Sequence, residues 1–349
     1  MRNMLKGGSV CGRRHYGLGF LLLLLFSYLL PSSFAQAPGG VSPNLAIWLR
    51  ADTGITTNAS GEVTLWADQS SSGNDMSEHL PANDPALLSS DINFNPLVDF
   101  SSDRLQDVDG IMGSGTHNNM HAYIVLRTDT IDNTIRRFFL EVGSGTFMQL
   151  FTYSVGTAYN FGPFITGSAL VQASSAGILQ GGYQVWTLIS SAGSSLQQIK
   201  RDGVSIATES SVGAARGENL LLVLGDYIDA GVPQNQFFHG AMAEFIIYLG
   251  DLDLSNDVSN ETGRIESYLA IKYGQTLPHH YVNSAGTIVR TVSGAYTNNI
   301  AGIARDDASA LNQKQSQSVN ADVVAMALGS FAVQYRYLFR GCLLHDLGA

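Results

Sequence analysis

The chain has 349 residues, 45% of them hydrophobic and 14% charged, which is enough apolar material for a folded core and excludes wholesale disorder. Its 37 glycines favour many strands joined by turns over a helical bundle. The formal net charge is −10, and an acidic surface repels nucleic-acid phosphates and anionic lipid headgroups. We therefore set aside nucleic acid and membrane surfaces as partners.

Residues 1–35 have the three parts of a secretory signal peptide: a basic head, an apolar stretch and a small-residue cleavage site. The apolar stretch, which contains Leu21 to Leu25, is shorter than the roughly twenty residues of a membrane span. We predict cleavage after Ala35, export to the cell surface or medium, and no membrane insertion of the mature chain; an uncleaved anchor is the alternative. Cleavage leaves Cys342 as the one thiol, so no internal disulfide is expected.

Between residues 45 and 250 the sequence predicts about ten to twelve strands, because apolar or alternating segments rich in β-branched and aromatic residues recur between turn signals. Asp202-Gly203 lies between two alternating runs and indicates a tight hairpin, since both central positions need positive φ. Residues 137–142 and 147–153 flank a Gly-Ser-Gly turn and predict a second hairpin. The other predicted strands are 45–49, 62–67, 97–100, 121–127, 183–189, 220–224 and 242–248.

One helix is predicted near residues 262–273, with Asn260 or Thr262 as its N-cap and Gly274 as the left-handed residue past its end. We expect the helix to pack on an edge of the strand region, with the lysine stem lying along apolar surface. Its stripe at i, i+3, i+4 and i+7 consists of Ile265, Tyr268, Leu269 and Lys272.

After Gly274 the chain returns to short polar segments of β type, so residues 275–349 are predicted to form a small accessory region. A strand is expected to begin near 323–328. The last stretch, 335–349, loses the alternation, and we predict that the natural domain is truncated or its reading frame altered there. The resulting organisation is a signal peptide at 1–35, a sandwich at 42–274 and the accessory region.

The segment Phe238-His-Gly240-Ala-Met-Ala-Glu244-Phe-Ile-Ile-Tyr248 resembles the closing strand of laminin-G-like, concanavalin A-like domains. That pattern runs Phe-x-Gly-x-Ile-Asp-Glu into an apolar strand ending in Tyr; here Met242 and Ala243 replace the Ile and the Asp. The resemblance implies an all-β, concanavalin A-like β-sandwich of jelly-roll type. It also implies a structural role for Glu244, on a fold that hosts lectins, adhesion modules and some glycosidases.

Five further segments resemble long secreted surface proteins of Bacteroidetes-type bacteria. Three lie near the start of the body, at 48–52, 66–70 and 73–75, and two lie at 264–274 and 300–316. The latter pair resembles a domain of unknown function that those proteins contain. The resemblance implies a family and a surface location, and no reaction.

Residues for catalysis are few in the sequence. A glycosidase needs two carboxylates facing each other across the sugar bond, and glucanases of this fold place them as Glu-x-Asp-x-x-Glu, a pattern that this chain lacks. Glu244 has no acidic residue two positions away. The three tryptophans, Trp48, Trp66 and Trp186, lie in strand-like runs, where core packing is favoured over stacking on sugar rings.

Candidate metal ligands are carboxylates at alternating positions, as in Asp251, Asp253 and Asp257. The pairs Asp107/Asp109 and Asp306/Asp307 are similar, and solvated turns are the alternative for all of them. Calcium is therefore the one cofactor that the sequence leaves open. The adjacent His279 and His280 lack metal-site spacing, and a solvated loop is expected there.

The segment with most features of a binding site is the loop between two core strands that carries Asp226, Tyr227, Asp229 and Asn235. It offers carboxylates, an amide and an aromatic ring; an ordinary long turn is the alternative. The sequence favours a secreted or cell-surface, non-catalytic binding or adhesion module for carbohydrate, extracellular matrix or a surface protein. The alternatives are a glycoside hydrolase or lyase acting on O-glycosyl bonds, and a structural spacer.

Overall fold

The protein is described by a computed structural model. The predicted signal peptide and the tail at 335–349, with Cys342, lie outside the described residues, so both interpretations stay predictions. Within the described part of the chain, no helix combines the length and the hydropathy that a membrane crossing requires. The described residues are 36–78, 84–111, 117, 119–130, 134–143, 146–153, 158–164, 171–174, 181–210, 219–229, 232–255, 257–293, 300–318 and 325–328.

Strands dominate the described residues, and they share the chain with a single α-helix, α1 (Glu261–Tyr273), and two 3₁₀ turns, Pro38–Gly40 and Asp307–Ser309. The first strands are β1 (Leu45–Arg50), β2 (Ile55–Thr57), β3 (Val63–Trp66), β4 (Met76–Glu78), β5 (Ala86–Ile92), β6 (Asn95–Ser101), β7 (Leu105–Asp107), β8 (Met120–Thr128), β9 (Arg136–Gly143), β10 (Thr146–Tyr153), β11 (Ala158–Phe164) and β12 (Val171–Ser174). The remaining strands are β13 (Tyr183–Ser191), β14 (Leu196–Arg201), β15 (Val204–Glu209), β16 (Asn219–Leu224), β17 (Ile228–Asp229), β18 (Val232–Pro233), β19 (His239–Tyr248), β20 (Tyr281–Val282), β21 (Ile288–Arg290), β22 (Ala304–Asp306), β23 (Leu311–Gln313), β24 (Gln315–Gln317) and β25 (Ala325–Ala327).

Two large antiparallel sheets form the body of the molecule. The front sheet runs β15-β14-β13-β8-β19-β6-β5, and β1 also pairs with β19. The back sheet runs β12-β11-β10-β9-β16-β7-β4-β3-β2. The two sheets pack face to face, so the protein is an all-β, concanavalin A-like sandwich, as predicted. Four short two-stranded ribbons complete the described strands.

The central strands of the front sheet, β8, β13 and β19, are buried on both faces. Along β8, Met120, Ala122, Ile124 and Leu126 face the core between the sheets, whereas Tyr123 and Val125 belong to a second core beneath α1. This alternation follows from the two-residue period of a strand. Trp66 and Trp186 lie in the core between the sheets, and Trp48 lies in the core beneath α1. All three side chains are at most 1% exposed, so their predicted role in packing is confirmed.

Helix α1 lies on the outer face of the front sheet, so the expectation that it packs on an edge was wrong. Its Ile265, Tyr268 and Leu269 join the second core. The sequence pattern showed an apolar helix stripe but not that the outer side of the sheet is also apolar and needs cover. The caps are as predicted: Asn260 Oδ1 accepts a hydrogen bond from Gly263 N at 2.6 Å, and Gly274 has φ 68°.

Both predicted hairpins are present. Asp202 and Gly203 have φ of 50° and 76°, and they join β14 to β15. Strands β9 and β10 pair with Gly143 opposite Thr146. The predicted number of strands was too low, since the described residues between 45 and 250 contain nineteen. The missed strands include β2, β4 and β7, whose three residues are too few to show a period.

The resemblance to laminin-G-like domains includes a glycine with a steric role. A Cβ on Gly240 would lie 2.0 Å from the backbone oxygen of Arg127 and 2.5 Å from the ring of Phe238. The Phe-x-Gly pattern therefore marks the place where β19 and β8 approach closely beside an aromatic side chain.

His121 on β8 makes stability depend on pH. Its side chain is fully buried, both ring nitrogens lack a hydrogen-bond partner, and burial lowers its pKa to about 4, against the opposing charge of Asp251. The unfolded chain therefore binds a proton at higher pH than the native chain, so this contribution to stability is lost as pH falls from about 6.5 towards 4. Between pH 7 and 4.5 we expect a loss of about 2 kcal/mol from this group.

The variant His121→Leu removes the titrating group and puts an apolar side chain of similar size in its place. Urea unfolding of both proteins at pH 7 and 4.5 checks the prediction, with the variant losing less stability than the wild type. Equal losses in the two proteins would show that His121 does not cause the dependence.

Candidate functional site

A buried carboxylate, Glu244 of β19, joins the sandwich to α1. It accepts hydrogen bonds from Trp48 Nε1 at 2.6 Å, Tyr268 OH at 2.9 Å and Tyr273 OH at 2.7 Å. Lys272 Nζ forms an ion pair with it at 2.8 Å, and both side chains are at most 3% exposed. Four donors therefore saturate the carboxylate, which agrees with the structural role predicted for it.

Lys272 Nζ also lies 3.2 Å from Asp52 Oδ1, so two carboxylates share one ammonium group. Burial alone would raise the pKa of Asp52, but the charges and hydrogen bonds of Lys272 and Arg50 outweigh burial and lower it to about 2. Glu244 is inaccessible to a substrate, so this pair does not have the exposed arrangement that glycoside hydrolysis needs. The sequence did not predict that the ammonium group of Lys272 is buried, because its partner Glu244 comes from a distant strand.

A second buried carboxylate, Glu266, fixes the other side of α1. It accepts a hydrogen bond from Thr187 Oγ1 at 2.9 Å and forms ion pairs with Lys200 at 2.6 Å and His279 at 3.0 Å. Burial alone would raise the pKa of Glu266. The hydrogen bonds and charges of His279 and Lys200 outweigh burial, so the net shift of this pKa is downward. The solvated loop expected at His279 was wrong, because this imidazole completes a buried charge cluster.

A buried ion pair, Asp226 with Arg104, anchors the start of the predicted binding loop. Asp226 is fully buried and pairs with Arg104 at 2.6 Å, and its second oxygen accepts a hydrogen bond from Gln236 N. Tyr227 lies against the guanidinium of Arg137, 4.7 Å from ring centre to Cζ. Asp226 therefore supports the loop.

The other residues of this loop occupy a small hairpin. Asp229 lies on β17, which pairs with β18, and Asn235 has φ 56° in the turn that follows. The structure brings Tyr227 to the half-exposed part of the loop, whereas Asp226 points into the protein. Ligand binding by Tyr227, Asp229 and Asn235 stays a prediction.

The predicted calcium ligands lie in turns where backbone or side-chain donors already bind them. Asp251 Oδ1 accepts from Ser191 Oγ at 2.9 Å, Asp253 Oδ1 from Ser255 N at 2.9 Å, and Asp257 Oδ1 from Ser259 N at 2.9 Å. Likewise Asp107 Oδ1 accepts from Asp109 N. No group of three His, Cys, Asp or Glu side chains in the described ranges is arranged to hold a metal ion. Calcium binding stays a prediction.

A cavity of about 460 Å³ lies between α1 and the ribbons that follow it. Three segments build its walls: one face of α1, the β20–β21 ribbon with its turn, and residues 303–311. The volume falls in the range of small-molecule sites, which combine apolar walls with a few polar groups. The lining residues are Arg264, Tyr268, Ile271, Val282, Asn283, Ser284, Val289, Ile303, Ala304, Arg305, Asp306, Asp307, Ser309 and Leu311.

The polar groups of this C-terminal cavity are tied together across its walls. Arg264 Nη1 donates to Ser284 O at 2.9 Å. Ser284 in turn donates through its backbone N and its Oγ to the two carboxylate oxygens of Asp306, at 2.8 and 2.7 Å. Arg305 and Asp307 form an exposed ion pair at the rim. The walls are therefore held open by hydrogen bonds rather than by packing alone.

One donor beside the C-terminal cavity has no partner. Arg264 Nε is buried and has no hydrogen-bond partner among the described residues. A buried donor without a partner costs about 1–3 kcal/mol, and its burial keeps it out of reach of a ligand in the cavity. Two sequence signals pointed here: Arg264, Tyr268 and Ile271 lie on one helix face at i, i+4 and i+7, and Asp306 and Asp307 were candidate metal ligands.

The C-terminal part of the chain matches a family model. Residues 261–336 match the family model described as "Domain of unknown function (DUF8202)". The match begins with α1 and includes every residue that lines the C-terminal cavity. It confirms the resemblance of 264–274 and 300–316 to a domain of unknown function, whereas the bacterial source stays a prediction. A search of curated proteins found no match.

Solved structures resemble the chain only distantly. The binding domain of Paraclostridial Mosquitocidal Protein 1 is 9% identical with a TM-score of 0.48, over 68% of this chain and 56% of that domain. The botulinum neurotoxin serotype D binding domain is 10% identical with a TM-score of 0.47, over 75% and 57%. The pentraxin of Limulus polyphemus is 13% identical with a TM-score of 0.36, over 47% and 74%. The chain thus covers little more than half of the two toxin domains.

Proposed function

We propose that the protein is a secreted, non-catalytic carbohydrate-binding module and that the C-terminal cavity is its ligand site. The observation that carries the proposal is the cavity itself, which combines apolar walls with hydrogen-bonded polar groups. The predicted signal peptide supports a location outside the cell, where glycans are abundant polar ligands.

A binding role fits the chemistry of the site better than a catalytic one. The carboxylates at the cavity, Asp306 and Asp307, accept bonds from Ser284 and Arg305, and neither is paired with a second carboxylate across a cleft. The buried Glu244 and Glu266 act in the attachment of α1. A site that only binds needs donors, acceptors and shape, and those are what the lining residues supply.

Two valines of similar exposure allow the two candidate sites to be compared. Val289 lines the C-terminal cavity and is 56% exposed, whereas Val232 lies on the loop with Tyr227 and is 59% exposed. We expect Val289→Trp to weaken glycan binding at least tenfold, because an indole at this position fills the cavity mouth. We expect Val232→Trp to leave binding unchanged.

The measurement is a glycan array followed by titration calorimetry of the wild type and the two variants with the glycan that binds best. Thermal melting checks that both variants fold like the wild type. Loss of binding in Val232→Trp with full binding in Val289→Trp would move the site to the 226–235 loop. No binding of the wild type to any glycan would contradict the proposed function.

A further inference from the structure

Residues 36–41, named here the N-terminal strap, contact the C-terminal accessory region across almost the whole sequence. Gln36 Nε2 donates to the backbone oxygen of Asp307 at 3.1 Å, and the two residues are 271 positions apart. Next to this bond, Ala37 N donates to Ala308 O at 3.0 Å, and Ala37 is 1% exposed. The start of the strap is therefore hydrogen-bonded to one wall of the C-terminal cavity.

Two glycines bring the strap against the other two walls of the cavity. A Cβ on Gly39 would lie 2.5 Å from the backbone carbonyl carbon of Arg264 in α1. A Cβ on Gly40 would lie 2.6 Å from the Cβ of Ser284, in the turn of the β20–β21 ribbon. Both glycines also have positive φ, 59° and 70°. Because neither position has room for a side chain, the strap approaches both walls at backbone distance.

The other end of the strap is attached to the sandwich. The hydroxyl group of Tyr248, the last residue of β19, donates to Val41 O at 2.8 Å. Val41 is 1% exposed and belongs to the core beneath α1. Its backbone N–H donates to Pro38 O at 3.1 Å, which closes the 3₁₀ turn. The strap is thus fixed to the sandwich at Val41 and reaches the cavity walls with the residues before it.

The strap contacts all three segments that build the cavity. Two of these segments contain the ribbons β20–β21 and β22–β23, whose strands have only two or three residues. A two-stranded ribbon is marginally stable by itself, so its position depends on contacts with other segments. Ser284 supplies one set of contacts, through its bonds with Arg264 and Asp306, and the strap supplies a second set.

From these contacts we propose that the N-terminal strap regulates the C-terminal cavity. When the strap is docked, it holds the three walls in the shape that binds a ligand. When the strap is released, the ribbons move relative to α1 and the cavity loses affinity for its glycan. The predicted cleavage after Ala35 leaves the strap as the first segment of the mature chain, where it can detach without breaking the sandwich. The inference rests on the proposed carbohydrate-binding function and names the regulation of that same site.

Gly39→Ala tests the proposal, and Gly61→Ala is its matched control. The alanine Cβ at position 39 meets the backbone of α1 and displaces the strap. Gly61 also has positive φ, 85°, but a Cβ there has no atom within 4 Å, so this variant imposes backbone strain without a steric contact. We expect titration calorimetry with the best glycan from the array to give about tenfold weaker binding for Gly39→Ala. Gly61→Ala should bind like the wild type.

Hydrogen exchange followed by mass spectrometry gives a readout that needs no ligand. In Gly39→Ala we expect faster exchange in residues 281–292 and 304–311, while β8 and β19 keep the protection that they have in the wild type. In the wild type, a saturating concentration of the glycan should slow exchange in the peptide that contains Gly40 and Val41. Coupling between two sites is reciprocal, so a ligand that needs the docked strap must also stabilise it.

The outcomes separate this inference from the function on which it rests. If Gly39→Ala binds the glycan like the wild type, or shows unchanged exchange in both ranges, the strap does not regulate the cavity and the glycan-binding module remains. Faster exchange in β8 and β19 as well would also overturn the inference, because the strap would then be part of the global fold. If the wild type binds no glycan, the proposed function fails, whereas faster exchange confined to the two ranges would still support the strap as the element that holds the walls.

Discussion

Replacing Lys272 by methionine is expected to lower the free energy of unfolding by about 3–5 kcal/mol, since it leaves the charge of Glu244 buried without a counterion. The ammonium lies 2.8 Å from Glu244 Oε2, and the two side chains are 3% and 0% exposed. Methionine keeps the length of the side chain, so the loss reflects the charge rather than a cavity. Urea unfolding at pH 7 measures it.

Two variants control this experiment. In Lys272→Met with Glu244→Gln the buried charge is removed as well, and the double variant should be at least about 1 kcal/mol more stable than the single one. Lys314→Met changes an exposed lysine and should have almost no effect. A double variant that is no more stable than Lys272→Met would mean that the ion pair does not determine the loss.

The second large effect is expected at Arg104, where methionine leaves Asp226 buried without its partner. The ion pair measures 2.6 Å and its side chains are 3% and 0% exposed, so we again expect a loss of about 3–5 kcal/mol. Burial already raises the pKa of Asp226, with the charge of Arg104 acting against it. Without Arg104 the carboxyl group of Asp226 binds a proton at still higher pH. The protonated group is neutral, so its burial costs less free energy.

The loss in Arg104→Met should therefore be larger at pH 8 than at pH 5, because a raised native pKa makes the folded state more stable as pH falls. Unfolding of the variant and the wild type at both pH values gives the comparison. Asp226→Asn in the same background removes the charge and should abolish the pH dependence of the difference. A loss that is the same at both pH values would contradict a structural role through charge.

The sequence predicted the sandwich because its signals are local. Asp202-Gly203 defines a hairpin by turn chemistry alone, and residues 121–127 show a strand by their β-branched and aromatic content. The helix caps at Asn260 and Gly274 are local as well. These features do not depend on what lies across the fold, so one sequence is enough to find them.

The buried charge clusters could not be predicted in the same way. Lys272 and Glu244 are 28 positions apart, and Glu266 meets Lys200 over 66 positions, so no spacing rule links the partners. A lysine on a helix is ordinarily a surface residue, which is why Lys272 read as the weak member of the stripe. Lys272 is buried because α1 lies on the face of the front sheet rather than at its edge.

The C-terminal cavity is a tertiary feature of the same kind. Ser284 and Asp306 lie on two short ribbons, and Arg264 lies on the helix, so the site forms only when three separate segments meet. The sequence drew attention instead to the carboxylates at 226–235 and 251–257, because acidic loop residues are common in binding sites. In the structure Asp253 and Asp257 accept backbone hydrogen bonds within their turns, and Asp226 pairs with the buried Arg104.

The most direct test of the account is a crystal structure of the protein bound to the glycan that scores best on the array. The account predicts electron density for the sugar in the C-terminal cavity, in contact with Val289. Density at the loop around Tyr227, or elsewhere on the sandwich with the cavity left empty, would contradict it.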